Sequence, residues 1–269
     1  KKNFSGKAPS VVFAHDTRHF SREFAELSAR TVAAAGGTAY LFAEDRSTPE
    51  LSFAVRHLGA QAGVEITASH NPPHDNGYKV YFSDGAQIVE PHASGIIREV
   101  EAVREPNLNP KWEGGGKVVS IGAEVDEEYQ LGLRELILEE EMLKREGKAL
   151  KVVFSPLHGT GGRIVPEMLA RAGVKVLLVK EQEKGDGRFP TVKSPNPENG
   201  EALALGIEQA KKEKADLVLA TDPDADRMGV AVRNSSGEYE LITGNQIGSL
   251  LSAYRIDRMR AKGWIQPGQ

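Results

Sequence analysis

The chain of 269 residues contains no cysteine. Thiolate metal sites, disulfides and thiol nucleophiles are thereby excluded, and the composition fits a reducing compartment. No apolar run approaches the ~20 residues that a bilayer span needs, and no charged-then-apolar leader pattern opens the sequence. Positive charge is not in surplus: 34 lysines and arginines stand against 38 aspartates and glutamates, a net charge of −4, so the basic face of a nucleic-acid binder is missing. Aromatic residues make up only 6% of the chain against 39% hydrophobic residues overall, so the core must be aliphatic. What remains is a cytoplasmic α/β protein that partners neither membrane nor nucleic acid, with enough length for two domains.

Short apolar runs alternate with helical patterns. SVVFAH (10–15), TAYLFA (38–43) and GVEITA (63–68) read as strands, and YKVYF (78–82) as an antiparallel partner of the third. Ser21 to Ala35 and Pro49 to Leu58 read as helices, the second with proline in its first turn. The tract PNLNPKWEGGGK (106–117) is rich in breakers and reads as a loop, and a charged helix is expected from about Val125 to Lys148. The alternation then restarts. Strands are expected at LKVVFSP (150–156), VKVLLV (174–179), ADLVLAT (215–221) and MGVAV (228–232). Helices are expected from HGTGG (158–162) to Ala172, from Glu201 to Lys214, and from Gly244 to Arg260. Strands separated by helices imply right-handed βαβ crossovers. The expected architecture is α/β: two related three-layer α/β/α units with mixed, mainly parallel sheets. The two units divide at 1–146 and 147–242, with one further helix in 243–269.

TDPDADRMG (221–229) follows a strand directly. In an extended segment alternate side chains point the same way, which would let Asp222, Asp224 and Asp226 converge at the carboxyl end of a parallel strand, where open α/β sheets place ligands. Oxygen ligands alone select a hard cation, Mg²⁺ or Ca²⁺. An EF-hand needs glycine at its sixth position and glutamate at its twelfth; Arg227 and Arg233 stand there instead. A solvated acidic turn is the alternative, but three acids in five residues repel one another unless a cation relieves them.

In AGVEITASHNPPHDNGYKVYF (62–82) an apolar run stops at Thr67 and gives way to a polar loop stiffened by Pro72 and Pro73, with Ser69 in its path. The serine has no G-x-S-x-G elbow, so it is either a turn serine or a phosphoryl carrier. The carboxylate loop favours the second. A phosphoserine has a charge of about −1.5 to −2, and near an aspartate it would be repelled by about 4 kcal/mol per pair at 4 Å and an effective dielectric of 20. A cation between them reverses the sign, and Mg²⁺ accepts one or two carboxylates plus a phosphate oxygen. HGTGG lacks the lysine of a P-loop and reads as a turn packing helix to strand.

Six segments, TASHNP (67–72), NGYKVY (76–81), DPDADR (222–227), HDTR (15–18), SPLHGTGG (155–162) and FPTVKSPNPE (189–198), give the chain a resemblance to the α-D-phosphohexomutases, the phosphoglucomutase/phosphomannomutase family. The resemblance implies a phosphosugar mutase of isomerase type. Phosphorylated Ser69 donates to a sugar monophosphate, and a sugar bisphosphate forms, turns in the site and returns its other phosphate. It implies Mg²⁺ held by Ser69, Asp222, Asp224 and Asp226, with a sugar 1,6-bisphosphate as activator. Arg227 would face the phosphoryl group, Lys79 would exchange a proton with the sugar hydroxyl, and His70 would donate to the transferring group. Arg18 either borders the site or pairs with Asp16, the structural role being the favoured reading, and 195–198 reads as a loop beside the site. The wording NPPHDNGYKVY and LITGNQ is similar to the branch that acts on glucose 1-phosphate and glucose 6-phosphate, with mannose and pentose phosphates as alternatives. Family members have four domains, which implies that 243–269 is the leading helix of an incomplete third domain and that this chain is a fragment lacking full activity. The competing expectations are a Mg²⁺-dependent sugar phosphatase working through phosphoserine and a non-catalytic metal-binding module.

Overall fold

The computed structural model describes residues 6, 8–105 and 115–265; most of the expected 106–117 loop lies outside them. By contact the chain forms two compact units, Lys1–Ser69 with Pro73–Tyr129, and His70–Pro72 with Gln130–Gln269. Among the described residues no helix is long and apolar enough to cross a membrane.

The first unit is built on β1 (Ser10–His15), β2 (Thr38–Phe42), β3 (Ala62–Ile66), β4 (Tyr78–Phe82) and β5 (Lys117–Ile121), in the order β4-β3-β1-β2-β5. β2 and β3 run parallel to β1, β5 parallel to β2, and β4 antiparallel to β3. The apolar run of β1 is uninterrupted because both of its faces are covered. Helix α1 (Ser21–Ala34) lays Ala25 and Ala29 on Phe13, Ala39, Val64 and Ile66, while α2 (Thr48–His57) lays Leu51, Ala54 and Val55 on Val12, Ala14 and Phe42. Ser47 caps α2 by accepting from the Glu50 amide at 3.3 Å. Helix α3 (His92–Glu101) and strand β5 were not expected. α3 buries no residue fully and β5 is half-covered, so neither has the apolar run or the caps that mark an element in sequence.

Helix α4 (Ala123–Glu135) leaves the first unit, and α5 (Glu140–Glu146) follows it. The single helix expected over 125–148 is therefore two. The Leu136 and Ile137 amides donate three residues back instead of four, which tightens the turn, and the break buries Leu138.

The second unit repeats the arrangement with β6 (Lys151–Ser155), β7 (Lys175–Leu178), β8 (Leu217–Thr221), β9 (Met228–Arg233) and β10 (Tyr239–Ile242), in the order β10-β9-β8-β6-β7. β7 and β8 flank β6 in parallel, and β9 runs antiparallel to β8. The exposed, unexpected edge β10 pairs with β9. Helix α6 (Val165–Arg171) packs along β7, and α7 (Gly200–Glu213) covers Val153, Val218, Ala220 and Ala231 with Ala202, Leu203 and Ala210. HGTGG does not run straight into α6: a 3₁₀ turn at Thr160–Gly162 intervenes, and Pro166 sits at the start of the α-helix. Helix α8 (Gly244–Ala261) opens on a capping box between Thr243 and Gln246. Four strands of each sheet share one topology, the fifth lying at opposite edges. β1, β2, β3 and β4 of the first correspond to β6, β7, β8 and β9 of the second, so the chain from β3 to β4 and the chain from β8 to β9 occupy equivalent positions.

Candidate active site

The β3–β4 connection contains Ser69. At φ +52° its backbone is left-handed, a conformation costing a non-glycine residue on the order of 1–2 kcal/mol. Two contacts hold it there. The Ser69 amide donates to the Thr67 hydroxyl at 2.8 Å, and its carbonyl accepts from Arg18 Nη2 at 2.6 Å. Arg18 Nη1 also donates to the Asp75 carbonyl at 3.1 Å, so one guanidinium ties both limbs of the loop. Arg18 is itself fixed by the Asp16 carboxylate at 3.1 Å, the side chains of both being fully buried. The Arg18 amide and the Ser21 hydroxyl donate to Asp16 Oδ1 at 2.9 and 2.8 Å. Burial pushes the Asp16 carboxyl up to about 6, against the pull of the Thr67 hydroxyl and the Arg18 charge. The sequence reading of Arg18 as the partner of Asp16 is met, and the geometry adds that the pair holds the serine loop.

The β8–β9 connection brings Asp222, Asp224 and Asp226 together. One carboxylate oxygen from each lies within 4.8 Å of the others; Asp222 and Asp224 are buried and Asp226 is exposed. The convergence is not that of an extended strand. Residues 222–227 form a turn in which Ala225 is left-handed at φ +54°, its amide donating to the Asp222 carbonyl at 3.0 Å. The Arg227 amide donates to Asp222 Oδ1 at 3.0 Å, orienting that carboxylate, and the Arg227 side chain is exposed. Two oxygens bound to one cation lie no farther apart than twice the metal–oxygen distance, about 4.2 Å for Mg²⁺ and about 5 Å for Ca²⁺. The donor set therefore fits a hard divalent cation with little movement.

HGTGG serves this loop, a use that sequence reading missed. Thr160 donates to the Pro223 carbonyl from its amide at 2.8 Å and its hydroxyl at 3.0 Å. A Cβ at Gly159 would overlap the Pro223 backbone, and one at Gly161 would overlap the Thr221 hydroxyl. Gly159→Ala should therefore cost about 1–3 kcal/mol by overpacking and weaken divalent-cation binding. Thermal denaturation and cation titration of the variant check both. Behind this turn a buried network links Ser155 Oγ to Gln182 at 2.7 Å and Gln182 to Thr191 Oγ1 at 2.9 Å; Thr191 Oγ1 lies 2.9 Å from His158 Nε2. Burial holds the His158 imidazole below its usual range, and only the neutral ring can accept the Thr191 hydroxyl. The 195–198 segment lies beside the carboxylate loop as expected, since the Pro197 carbonyl closes against Gly229.

Lys79 sits half-buried on β4, directly opposite Glu65 of β3. His70, Asn71 and Pro72 group with the second unit, where the Ser194 hydroxyl donates to the His70 carbonyl at 2.6 Å. Burial, then the Arg227 charge, hold the His70 imidazole below its ordinary value against the opposite pull of Asp224 and Asp226. The ring can donate a hydrogen bond from a protonated nitrogen. The structure thus gathers Ser69 with its anchors in one unit and the three aspartates, Arg227 and His70 in the other.

Two family models cover most of the chain. Phosphoglucomutase/phosphomannomutase α/β/α domain I matches residues 1–107, and domain II of the same family matches residues 127–237. A phosphoglucomutase of Staphylococcus aureus strain USA300 is 40% identical over 260 residues, covering 95% of this chain and 46% of that protein. The chain thus spans about half the length of the curated relatives it matches. Among solved structures, a Thermus thermophilus protein provisionally described as a phosphomannomutase superposes with a TM-score of 0.80 at 28% identity, over 94% of this chain and 54% of that one. A phosphoglucomutase/phosphomannomutase family protein of Burkholderia thailandensis shares the fold at a TM-score of 0.67 and 24% identity, over 89% of this chain and 49% of that one.

Proposed function

The chain belongs to the phosphoglucomutase/phosphomannomutase family, and on that premise we propose that it carries the phosphoryl-transfer half of a cytoplasmic phosphosugar mutase. Its substrates are hexose phosphates, glucose 1-phosphate and glucose 6-phosphate first among them. The observation that carries the reading is the cluster of three carboxylate oxygens within 4.8 Å of one another, on a connection topologically equivalent to the one that presents Ser69. Residues 1–146 and 147–242 are its first two domains, and 243–269 is the leading helix of a third.

In the forward step the bond from Ser69 Oγ to phosphorus breaks and a bond from phosphorus to the sugar hydroxyl oxygen forms. The hydroxyl proton ends on Ser69 Oγ by exchange at Lys79, whose ammonium gives one proton to the departing serine oxygen and takes the hydroxyl proton in its place. The resulting sugar 1,6-bisphosphate turns over and returns its other phosphoryl group to Ser69 Oγ. Mg²⁺ bound by Asp222, Asp224, Asp226 and a phosphoserine oxygen would neutralise charge on the transferring group. Arg227 and His70 donate to the same oxygens, the kind of positioning and electrostatic stabilisation on which phosphoryl transfer depends. The Arg18 anchor keeps the Ser69 backbone in its left-handed conformation, so the hydroxyl is presented without a search.

Incubation with glucose 1,6-bisphosphate and Mg²⁺ should add one phosphate, by intact mass, in the peptide containing Ser69. Ser69→Ala has no oxygen to accept the group and should abolish that uptake. Equal uptake by the variant would overturn the reading. Rapid release of inorganic phosphate in place of transfer would identify a phosphatase.

A further inference from the structure

Glu65 is the penultimate residue of β3, four residues before Ser69, with 0% of its surface exposed. Its chain neighbours Val64 and Ile66 are buried and apolar, and so is Ala14, its partner on β1. A carboxylate in such surroundings costs several kcal/mol unless a cation or donors compensate it. The antiparallel ladder places Lys79 directly across from it. Residues directly opposed in such a pair share a face, with Cβ atoms about 4.5–5.5 Å apart, a gap that a glutamate and a lysine bridge easily. On one side of this pair the same face holds Gly63, which has no side chain, and Tyr81, which is buried. Lys79 is thus the cation that the strand register delivers to Glu65.

We propose that Glu65 is the positioning residue for Lys79, fixing its ammonium at the mouth of the serine loop. Lysine alone is a charge on four rotatable bonds; a buried carboxylate one strand away reduces that freedom to a single direction. The catalytic purpose of the pair rests on the mutase reading above, but the pairing itself does not.

The test uses the unphosphorylated chain and an amine-reactive reagent at pH 8, with peptides mapped by mass. In Glu65→Gln, Lys79 should react about tenfold faster than in wild type, because one unit of lost charge stabilisation is a factor of ten. Glu65→Asp should fall between, and the β7 lysine, Lys175, should be unchanged. An unchanged Lys79 rate overturns the pairing. Should Glu65→Gln fail to fold, thermal midpoints decide. Lys79→Met alone should lower the midpoint by several degrees, and the double variant Lys79→Met/Glu65→Gln should recover most of it; a double variant no better than Lys79→Met overturns the pairing. Undiminished phosphate uptake in Lys79→Met would remove the lysine from the mutase reaction, a failure of the mutase reading that the labelling contrast reports separately.

Discussion

Replacing Arg18 with methionine should destabilise the first unit by about 3–5 kcal/mol, the range for removing one partner of a buried ion pair. Both side chains of the Asp16–Arg18 pair are fully buried, so the loss strands a carboxylate in the interior and water cannot screen it. The sign of the pH dependence follows from Asp16. Burial raises its folded pKa from 3.8 to about 6, so ionisation of Asp16 opposes folding, and the opposition is complete only above that range. Without the Arg18 charge the carboxyl rises further. The deficit of the variant should therefore shrink as the pH falls from 8 towards 5, whereas lost packing alone would leave it constant. A second effect accompanies the first. The Ser69 and Asp75 carbonyls lose their shared donor, so phosphate uptake by Ser69 should fall even at temperatures where the variant is folded. Denaturant titration at several pH values and intact-mass uptake measure the two effects independently.

The second large effect is expected at Asp224. Three carboxylate oxygens within 4.8 Å of one another repel by about 3.5 kcal/mol per pair at an effective dielectric of 20, a load that a bound cation would relieve. Asp224→Asn keeps the shape and removes two of the three repulsions. Without divalent cation the variant should be more stable than wild type by about 1 kcal/mol or more, raising the thermal midpoint by about 2–4 °C per kcal/mol. Saturating Mg²⁺ should reverse the order. Wild type gains about 2.7 kcal/mol at a hundredfold excess over its dissociation constant, and the substituted amide no longer offers an ionised ligand. A variant that lost stability under both conditions would mean that Asp224 is a structural hydrogen-bonding residue and not a ligand.

Much of this arrangement was legible because its signals are local. Asp222, Asp224 and Asp226 stand so close in sequence that almost any turn gathers them, and the antiparallel pairing of β3 with β4 was readable from two apolar runs around a polar loop. The backbone that gathers the acids was misread, since nothing in DPDADR announces that Ala225 would be left-handed. Contacts between distant segments were harder. Arg18 reaches Ser69 and Asp75 across more than fifty residues, and the sequence offered only the Asp16-x-Arg18 spacing as a hint. Gly159 and Gly161 were visible as glycines, but the reason for them, the backbone of Pro223 and the hydroxyl of Thr221, lies on another strand. The break at Leu136–Leu138 was hidden because charged residues continue at helical spacing through it. Glu65 passed unremarked in a run that otherwise reads as plain core.

The central claim is that phosphorylated Ser69 and the carboxylate loop hold one cation between them. Calorimetric titration of Mg²⁺ into the chain phosphorylated on Ser69, and into the same chain after phosphatase treatment, tests it most directly. The account predicts that the phosphorylated form binds one Mg²⁺ at least tenfold more tightly, and that Asp224→Asn abolishes the difference. Identical affinities for the two forms, with the phosphate verified by mass, would contradict it.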